Sequence, residues 1–150
     1  MKKISLQRVK LVKYGHVLYD NLFIRNTDDA ERICRIYLQH EYQGFPDREV
    51  FVVVWLNVKN MIVGLETVSV GTLNATIVTP REVFKSGILH NAASFICFHN
   101  HPSGITTPSE HDVRITKRLA EIGELLDIIL LDHLILADDA YLSLKKEGFF

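Results

Sequence analysis

The sequence has few of the features that mark secreted, membrane-spanning or strongly basic proteins. Its two cysteines, Cys34 and Cys97, lie far apart and its start shows no signal-peptide pattern, which favours a reducing cytoplasm over a disulfide framework. No apolar run approaches the length of a bilayer span, so no transmembrane helix is predicted. The 17 Lys and Arg residues against 18 Asp and Glu residues give a net charge of −1, which provides no general attraction for nucleic acid or an anionic membrane. A cytoplasmic protein that does not enter a membrane is therefore expected.

The length and the apolar content are those of one globular domain. The 150 residues suffice to bury a core, and 47% of them are apolar. The sequence has no internal repeat and no low-complexity segment. One basic cluster lies near the start, and we favour a solvated strand face over a nucleic-acid contact for it. It comprises Lys2, Lys3, Arg8, Lys10 and Lys13.

Hydrophobic periodicity predicts a mixed α/β fold. Helical spacing and helix-start signals predict helices over 27–43, 79–91 and 109–127. Apolar alternation and short apolar runs predict strands over 8–19, 22–24, 49–58, 61–70, 73–78, 93–98, 127–137 and 141–144. Lys59 and Asn60 form a two-residue hairpin signal. The run Thr79-Pro80-Arg81-Glu82 predicts a capping box with proline at the first helical position.

Residues 99–112, which read H-N-H-P-S-G-I-T-T-P-S-E-H-D, carry the clearest functional signal. His99 and His101 follow an apolar segment that is typical of a buried strand, and alternate residues of a strand share one face. A loop rich in Gly and Pro follows, and Asp112 then lies in the first turn of the next helix. Two imidazoles and a carboxylate supply the three protein ligands of a catalytic zinc, whose fourth position is left for water. The stretch therefore predicts a zinc site formed by His99, His101 and Asp112.

Asp112 also has a purely structural explanation. The pattern S-x-x-D before an apolar-periodic segment is a helix N-terminus signature, with Ser109 as the N-cap and Asp112 at N3. The carboxylate would then only complement the helix dipole. Two observations favour the metal interpretation. Two histidines share one strand face, and the turn that follows them is not required by a simple link between a strand and a helix.

The pattern H-x-H-x7-S-x2-D resembles the signature of JAMM (MPN+) metalloproteases, and H-N-H-P-S-G at 99–104 is similar to the RadC family within that superfamily. Similar segments surround it at 49–51, 56–60, 71–73, 80–84, 91–93 and 131–134. The resemblance covers roughly residues 48–148. Longer RadC proteins carry a helix-hairpin-helix region, for which residues 1–45 leave no room. We therefore expect a RadC-like MPN/JAMM catalytic domain over 46–150, with residues 1–45 as an N-terminal extension packed on it.

The resemblance implies a three-layer α/β/α sandwich of the deaminase-like type and a zinc-dependent peptidase or isopeptidase. In that family zinc lowers the pKa of its bound water, and an upstream glutamate acts as the general base. Glu49 matches the position of this glutamate. Glu66 is the second choice, and Glu82 ranks last because the predicted capping box already explains it.

Three more side chains are candidates for the site. Ser109 matches the serine of the family motif, whose hydroxyl can stabilise the oxyanion of a tetrahedral intermediate, and it can also cap the helix. Cys97 shares the strand face of His99, but a buried cysteine is more commonly a small hydrophobic residue than a ligand. His133 lies in an L-D-H-L stretch that the family shares. The sequence leaves two alternatives for it, contact with the metal ligands or a place in the core.

Two functional classes remain. The motif predicts a zinc-dependent metallohydrolase that acts on a protein or peptide substrate. The alternative, implied by the association of the RadC family with DNA repair, is a DNA-associated accessory protein with little or no proteolysis. The sequence has no strong positive charge and no aromatic-basic stretch, so direct DNA binding is expected to be weak. A zinc nucleobase deaminase is excluded because its H-x-E and P-C-x-x-C pattern is absent.

Overall fold

The computed structural model describes residues 3–71 and 78–150. In these residues the chain forms three helices and five strands. They are α1 (Thr27–Tyr42), β1 (Val50–Leu56), β2 (Ile62–Val70), α2 (Pro80–Leu89), β3 (Ser94–Asn100), α3 (Glu110–Leu125), β4 (Ile129–Leu136) and β5 (Tyr141–Ser143). No helix within the described ranges is both long enough and apolar enough to cross a bilayer.

The strands form one mixed sheet in the order β2-β1-β3-β4-β5. The pairs β1–β2, β1–β3 and β4–β5 are antiparallel, whereas β3 and β4 are parallel and are joined through α3. The central strand β3 is buried along its whole length. Side chains at the end of β3 therefore lie in the middle of the sheet, with the start of α3 close by in the sequence.

Helices cover both faces of the sheet. On one face α1 packs Ile33 and Tyr37 into a core with alternate residues of β1 and β3, such as Val52 and Phe98. On the other face α2 and α3 pack against a core that includes Phe51, Val53, Trp55, Phe95 and Leu119. Strands buried on both faces have continuous apolar sequences, which explains the run Val50–Leu56. The predicted mixed α/β class and the three-layer α/β/α arrangement are confirmed.

The element boundaries agree with the predicted ones to within a few residues, with one clear error in the N-terminal segment. Residues 8–19 form no helix or strand, and most of them are exposed. Of the predicted strand 22–24, only Phe23 forms an isolated bridge, to Met61. Apolar alternation was present, but a strand also needs a partner edge with which to share backbone hydrogen bonds. Nearly all of the predicted strand 73–78 lies outside the described residues.

The predicted capping box of α2 is only partly correct. Thr79 is the N-cap and Pro80 is the first helical residue, as expected, but the Thr79 side chain makes no capping hydrogen bond. The Glu82 carboxylate instead accepts a hydrogen bond from the Lys85 ammonium, with Nζ and Oε2 2.6 Å apart. The exposed ion pair between Glu82 and Lys85 therefore competes for the carboxylate that a capping box would direct to the Thr79 N–H.

Candidate metal centre

The end of β3 and the start of α3 bring three potential metal ligands together. His99 is the penultimate residue of β3, opposite Phe51 of β1, and its side chain is buried. His101 lies two residues further on and faces the same side of the sheet. Asp112 stands in the first turn of α3. The sequence-predicted ligands are thus brought together across the loop 102–108.

The three side chains lie close enough together to share one small metal ion. His99 Nε2 lies 3.0 Å from His101 Nε2 and 3.3 Å from Asp112 Oδ1, and His101 Nε2 lies 3.6 Å from Asp112 Oδ2. Tetrahedral zinc with ligand bonds of about 2.0–2.1 Å requires ligand atoms about 3.3 Å apart. His99, His101 and Asp112 are the only such group of three or more residues within the described part of the chain.

The loop after β3 sets the tautomer of His101. Its Nδ1 lies 2.6 Å from the carbonyl oxygen of Ile105, which can only accept, so in the neutral imidazole Nδ1 carries the hydrogen and Nε2 keeps a lone pair. Gly104 provides the turn that makes this possible, with φ of 79°, and its N–H donates to the His101 carbonyl oxygen. The turn that follows the two histidines therefore orients a candidate ligand.

Behind His99 lies a second, fully buried histidine. His99 Nδ1 is 2.8 Å from His133 Nε2, and His133 Nδ1 is 2.5 Å from Thr116 Oγ1. Burial, together with repulsion from the neighbouring His99, holds the pKa of His133 well below its usual value. His133 is thus a neutral side chain in contact with a candidate ligand, which answers the question that the sequence left open.

Asp112 is held by the N-terminal turn of α3. The Ser109 hydroxyl and the Ser109 N–H both donate to Asp112 Oδ2, at 2.6 Å and 2.7 Å, while the Asp112 N–H donates back to Ser109 Oγ. Burial by itself raises the pKa of Asp112, but the adjacent imidazoles of His101 and His99, together with hydrogen bonds from Ser109, hold it well below its usual range. Asp112 is therefore a carboxylate, as a metal ligand requires.

Glu49 stands beside the cluster at the start of β1. The antiparallel register that pairs Phe51 with His99, continued by two residues, sets Glu49 opposite His101 on the same face. Burial lowers the pKa of His101, but Asp112, the Ile105 carbonyl and the charge of Glu49 together raise it above its usual value. Glu49 is itself buried, with 9% of its surface exposed.

Asn100 anchors the backbone on both sides of Glu49, a role that the sequence reasoning missed. Its Oδ1 accepts from the Val50 N–H at 2.8 Å, and its Nδ2 donates to the carbonyl oxygens of Pro46 and Arg48 at 3.1 Å and 2.9 Å. Asn100 is fully buried on the face of β3 opposite the histidines. The available signal was a polar residue between the two histidines that follow the apolar run 95–98.

The other candidates lie outside the cluster. Glu66 lies on β2, where it pairs with Val53 of β1. Its Oε1 accepts a hydrogen bond from the Trp55 indole at 3.3 Å, away from the end of β1 beside Glu49. Glu82 is exposed on α2. Cys97 shares the face of His99 but contacts the Asp132 carbonyl oxygen, at 4.0 Å.

The fold and the site define a mixed α/β domain with a His-His-Asp centre at the end of its central strand. The family described as the RadC-like JAB domain matches residues 24–149. The chain therefore belongs to the RadC-like JAB domain family. The match begins before α1, whose side chains share the core with β1 and β3. A domain boundary after residue 45 stays a prediction.

Similar proteins of known sequence bear out the family. The chain is 48% identical over 130 residues to a UPF0758 protein of Geobacillus thermodenitrificans, covering 87% of this chain and 55% of the relative. It is 52% identical over 130 residues to a UPF0758 protein of Bacillus licheniformis, covering 87% and 56%. The UPF0758 protein YsxA of Bacillus subtilis is 45% identical over 130 residues, covering 87% and 54%. The chain thus spans about half the length of the curated relatives it matches.

Proposed function

We propose that the protein is a zinc-dependent metallohydrolase that cleaves peptide or isopeptide bonds. The observation that carries the proposal is the convergence of two imidazole nitrogens and one carboxylate within reach of a single metal ion, beside a buried glutamate. The donor set suits zinc, because imidazole and carboxylate are both good zinc ligands and three protein ligands leave one coordination position open. His101, the least buried of the three ligands, gives the site a route to solvent.

Zinc held by His99, His101 and Asp112 would supply Lewis acidity, which lowers the pKa of water and polarises the scissile carbonyl. Glu49 is proposed to accept the proton of the attacking water and to deliver it to the leaving amine. Its position opposite His101 and its burial support this role. Asn100 would keep the Glu49 carboxylate in reach through its contacts with the backbone at Arg48 and Val50.

Ser109 is proposed to stabilise the oxyanion that forms when water attacks the carbonyl. In the free protein its hydroxyl donates to Asp112 Oδ2, so this role requires the hydroxyl hydrogen to turn towards the substrate oxygen. The Ser109 N–H also donates to Asp112 Oδ2 and would continue to hold that carboxylate. Capping of α3 and stabilisation of the oxyanion are therefore compatible.

A protein or peptide is the proposed substrate class. A groove of about 720 Å³ runs along the outer side of α3 from Ser109, and its lining includes Val113, Lys117 and Phe149. It can contact apolar and acidic side chains of an extended peptide. A net charge of −1 gives no comparable reason for tight binding to DNA, so we do not propose a DNA-associated role.

The proposal predicts chelator-sensitive cleavage of peptide bonds. Purified protein loaded with zinc should cleave members of a peptide library, and a chelator should stop the cleavage until zinc is added back. The products should be identified by mass spectrometry, so that cleavage is assigned to specific bonds. Zinc-loaded protein that cleaves neither peptide nor isopeptide substrates would contradict the proposed activity.

A further inference from the structure

We propose that His133 and Thr116 are positioning residues that hold His99 in the tautomer able to bind a metal ion. The proposal rests on the zinc site of the proposed function and adds two residues that touch no metal themselves. His133 comes from β4 and Thr116 from α3, and both are fully buried. A threonine hydroxyl and a second imidazole at these depths add no apolar packing that Val and Phe could not supply, so a purely structural role explains them poorly.

The four groups form one continuous chain of hydrogen bonds. His99 Nδ1 contacts His133 Nε2 at 2.8 Å, and His133 Nδ1 contacts Thr116 Oγ1 at 2.5 Å. Thr116 Oγ1 in turn donates to the backbone carbonyl oxygen of Asp112 at 2.6 Å. The chain therefore begins at one candidate ligand, His99, and ends at the main chain of another, Asp112.

The Asp112 carbonyl fixes the direction of every hydrogen bond in the chain. A hydroxyl has one hydrogen and a carbonyl oxygen can only accept, so the Thr116 hydrogen points to Asp112. Thr116 Oγ1 must then accept from His133 Nδ1, which leaves His133 Nε2 as an acceptor. That acceptor requires a hydrogen on His99 Nδ1. The lone pair of neutral His99 is consequently on Nε2, the atom that faces His101 and Asp112.

The opposite direction would disable the site. If Thr116 donated to His133 Nδ1, His133 Nε2 would donate to His99 Nδ1, and the hydrogen of neutral His99 would sit on Nε2. His99 would then be a hydrogen-bond donor to Asp112 and could not bind a metal through that nitrogen. The hydroxyl of Thr116 therefore selects between a ligand and a non-ligand form of His99.

Two substitutions at Thr116 separate this role from packing. Thr116→Val keeps the side-chain volume and removes the hydroxyl, whereas Thr116→Ser keeps the hydroxyl and removes a buried methyl group. We expect Thr116→Val to weaken zinc binding about 10–100-fold, as loss of a partner behind a metal-binding histidine typically does, and Thr116→Ser to stay within about twofold of wild type. Zinc affinity is measured by competition with a chromogenic chelator, and thermal unfolding of the zinc-free proteins reports packing separately.

The inference is overturned if Thr116→Val binds zinc as tightly as wild type does. A packing role predicts this result, together with weaker zinc binding by Thr116→Ser. If Thr116→Val does not fold, nitrogen-15 NMR of wild-type imidazoles decides instead. The hydrogen of His133 should be on Nδ1 with and without zinc, and a hydrogen on Nε2 contradicts the inference. Wild-type protein that takes up no zinc contradicts the proposed function. The His133 tautomer is measured without zinc, so the inference is tested separately from that function.

Discussion

At the residue scale, Asp112 shows how one carboxylate can cap a helix and remain available to a metal. Its Oδ2 accepts from the N–H and the hydroxyl of Ser109, while its Oδ1 lies 3.3 Å from His99 Nε2. The capping contacts therefore use Oδ2, which also lies 3.6 Å from His101 Nε2, and leave Oδ1 towards His99. Capping fixes the side-chain rotamer before a metal arrives, which reduces the conformational entropy lost on binding. The structural and the metal explanations of S-x-x-D are complementary.

Glu49 is expected to be required for hydrolysis but not for metal binding. Glu49→Gln should retain zinc and the fold, and it should lower kcat about 10²–10⁴-fold because an amide cannot accept the proton. Glu66→Gln is the matched control: its carbonyl oxygen can still accept from the Trp55 indole, and its turnover should stay close to wild type. Turnover and bound zinc are measured on the same preparations. Loss of turnover in Glu66→Gln alone would reverse the two assignments.

Some of the site could be predicted from local sequence and some could not. His99 and His101 follow from ligand type and from the two-residue period of a strand, and Ser109 with Asp112 follows from a local capping pattern. Asn100, Thr116 and His133 act through contacts that join segments 17 to 54 residues apart. The sequence can mark Asn100 and His133 as candidates, but no local pattern encodes which groups they contact, so only the folded structure reveals their partners.

At the element scale, the position of α3 decides whether the site forms. The histidines lie at and just after the end of β3, and α3 must return along the sheet before β4 can pair in parallel with β3. Near the end of α3, Gly123 lies close to the backbone that leads into β4. A Cβ atom at this position would lie only 2.5 Å from the Ile128 carbonyl oxygen. The N–H of Ile128 donates back to the Gly123 carbonyl oxygen at 2.9 Å. This contact sets the spacing between α3 and β4.

Gly123→Ala should destabilise the protein although alanine is the better helix former. The steric cost of moving the Ile128 backbone, about 1–3 kcal/mol as for other overpacked sites, should exceed the gain in helix propensity of about 1 kcal/mol. Glu121→Ala, at an exposed position of the same helix, should change the free energy of unfolding by less than about 0.5 kcal/mol. Urea unfolding measures both. A Gly123→Ala protein more stable than wild type would refute the close-contact explanation.

Periodicity predicted the buried elements well and the exposed N-terminal segment badly. The sequence of β1 is continuously apolar, and α3 repeats apolar residues at helical spacing, because both bury a face against the core. Residues 8–19 also show a regular apolar pattern, the alternation that is typical of a strand. Their apolar residues, such as Val9 and Val12, are nevertheless exposed and contribute no buried face. Alternation alone thus cannot indicate whether a partner strand is present.

At the scale of the whole molecule, the site is assembled from segments spread over residues 49–133 of the family-matched region. Glu49 precedes β1, the candidate ligands lie at the end of β3, just after it and on α3, and His133 comes from β4. The contacts that hold the site thus join segments far apart in sequence, so folding and formation of the metal centre are coupled. Bound metal should accordingly stabilise the whole domain, by about 2.7 kcal/mol at a free-metal concentration 100 times Kd.

The zinc content of the purified protein tests the central claim most directly. We predict one zinc ion per wild-type chain after loading and buffer exchange, and none above background in His99→Ala, because two remaining ligands rarely hold zinc. His111→Ala, an exposed histidine in the same stretch, is the matched control and should bind as wild type does. Full zinc occupancy in His99→Ala, or no zinc in the loaded wild-type protein, would contradict the account.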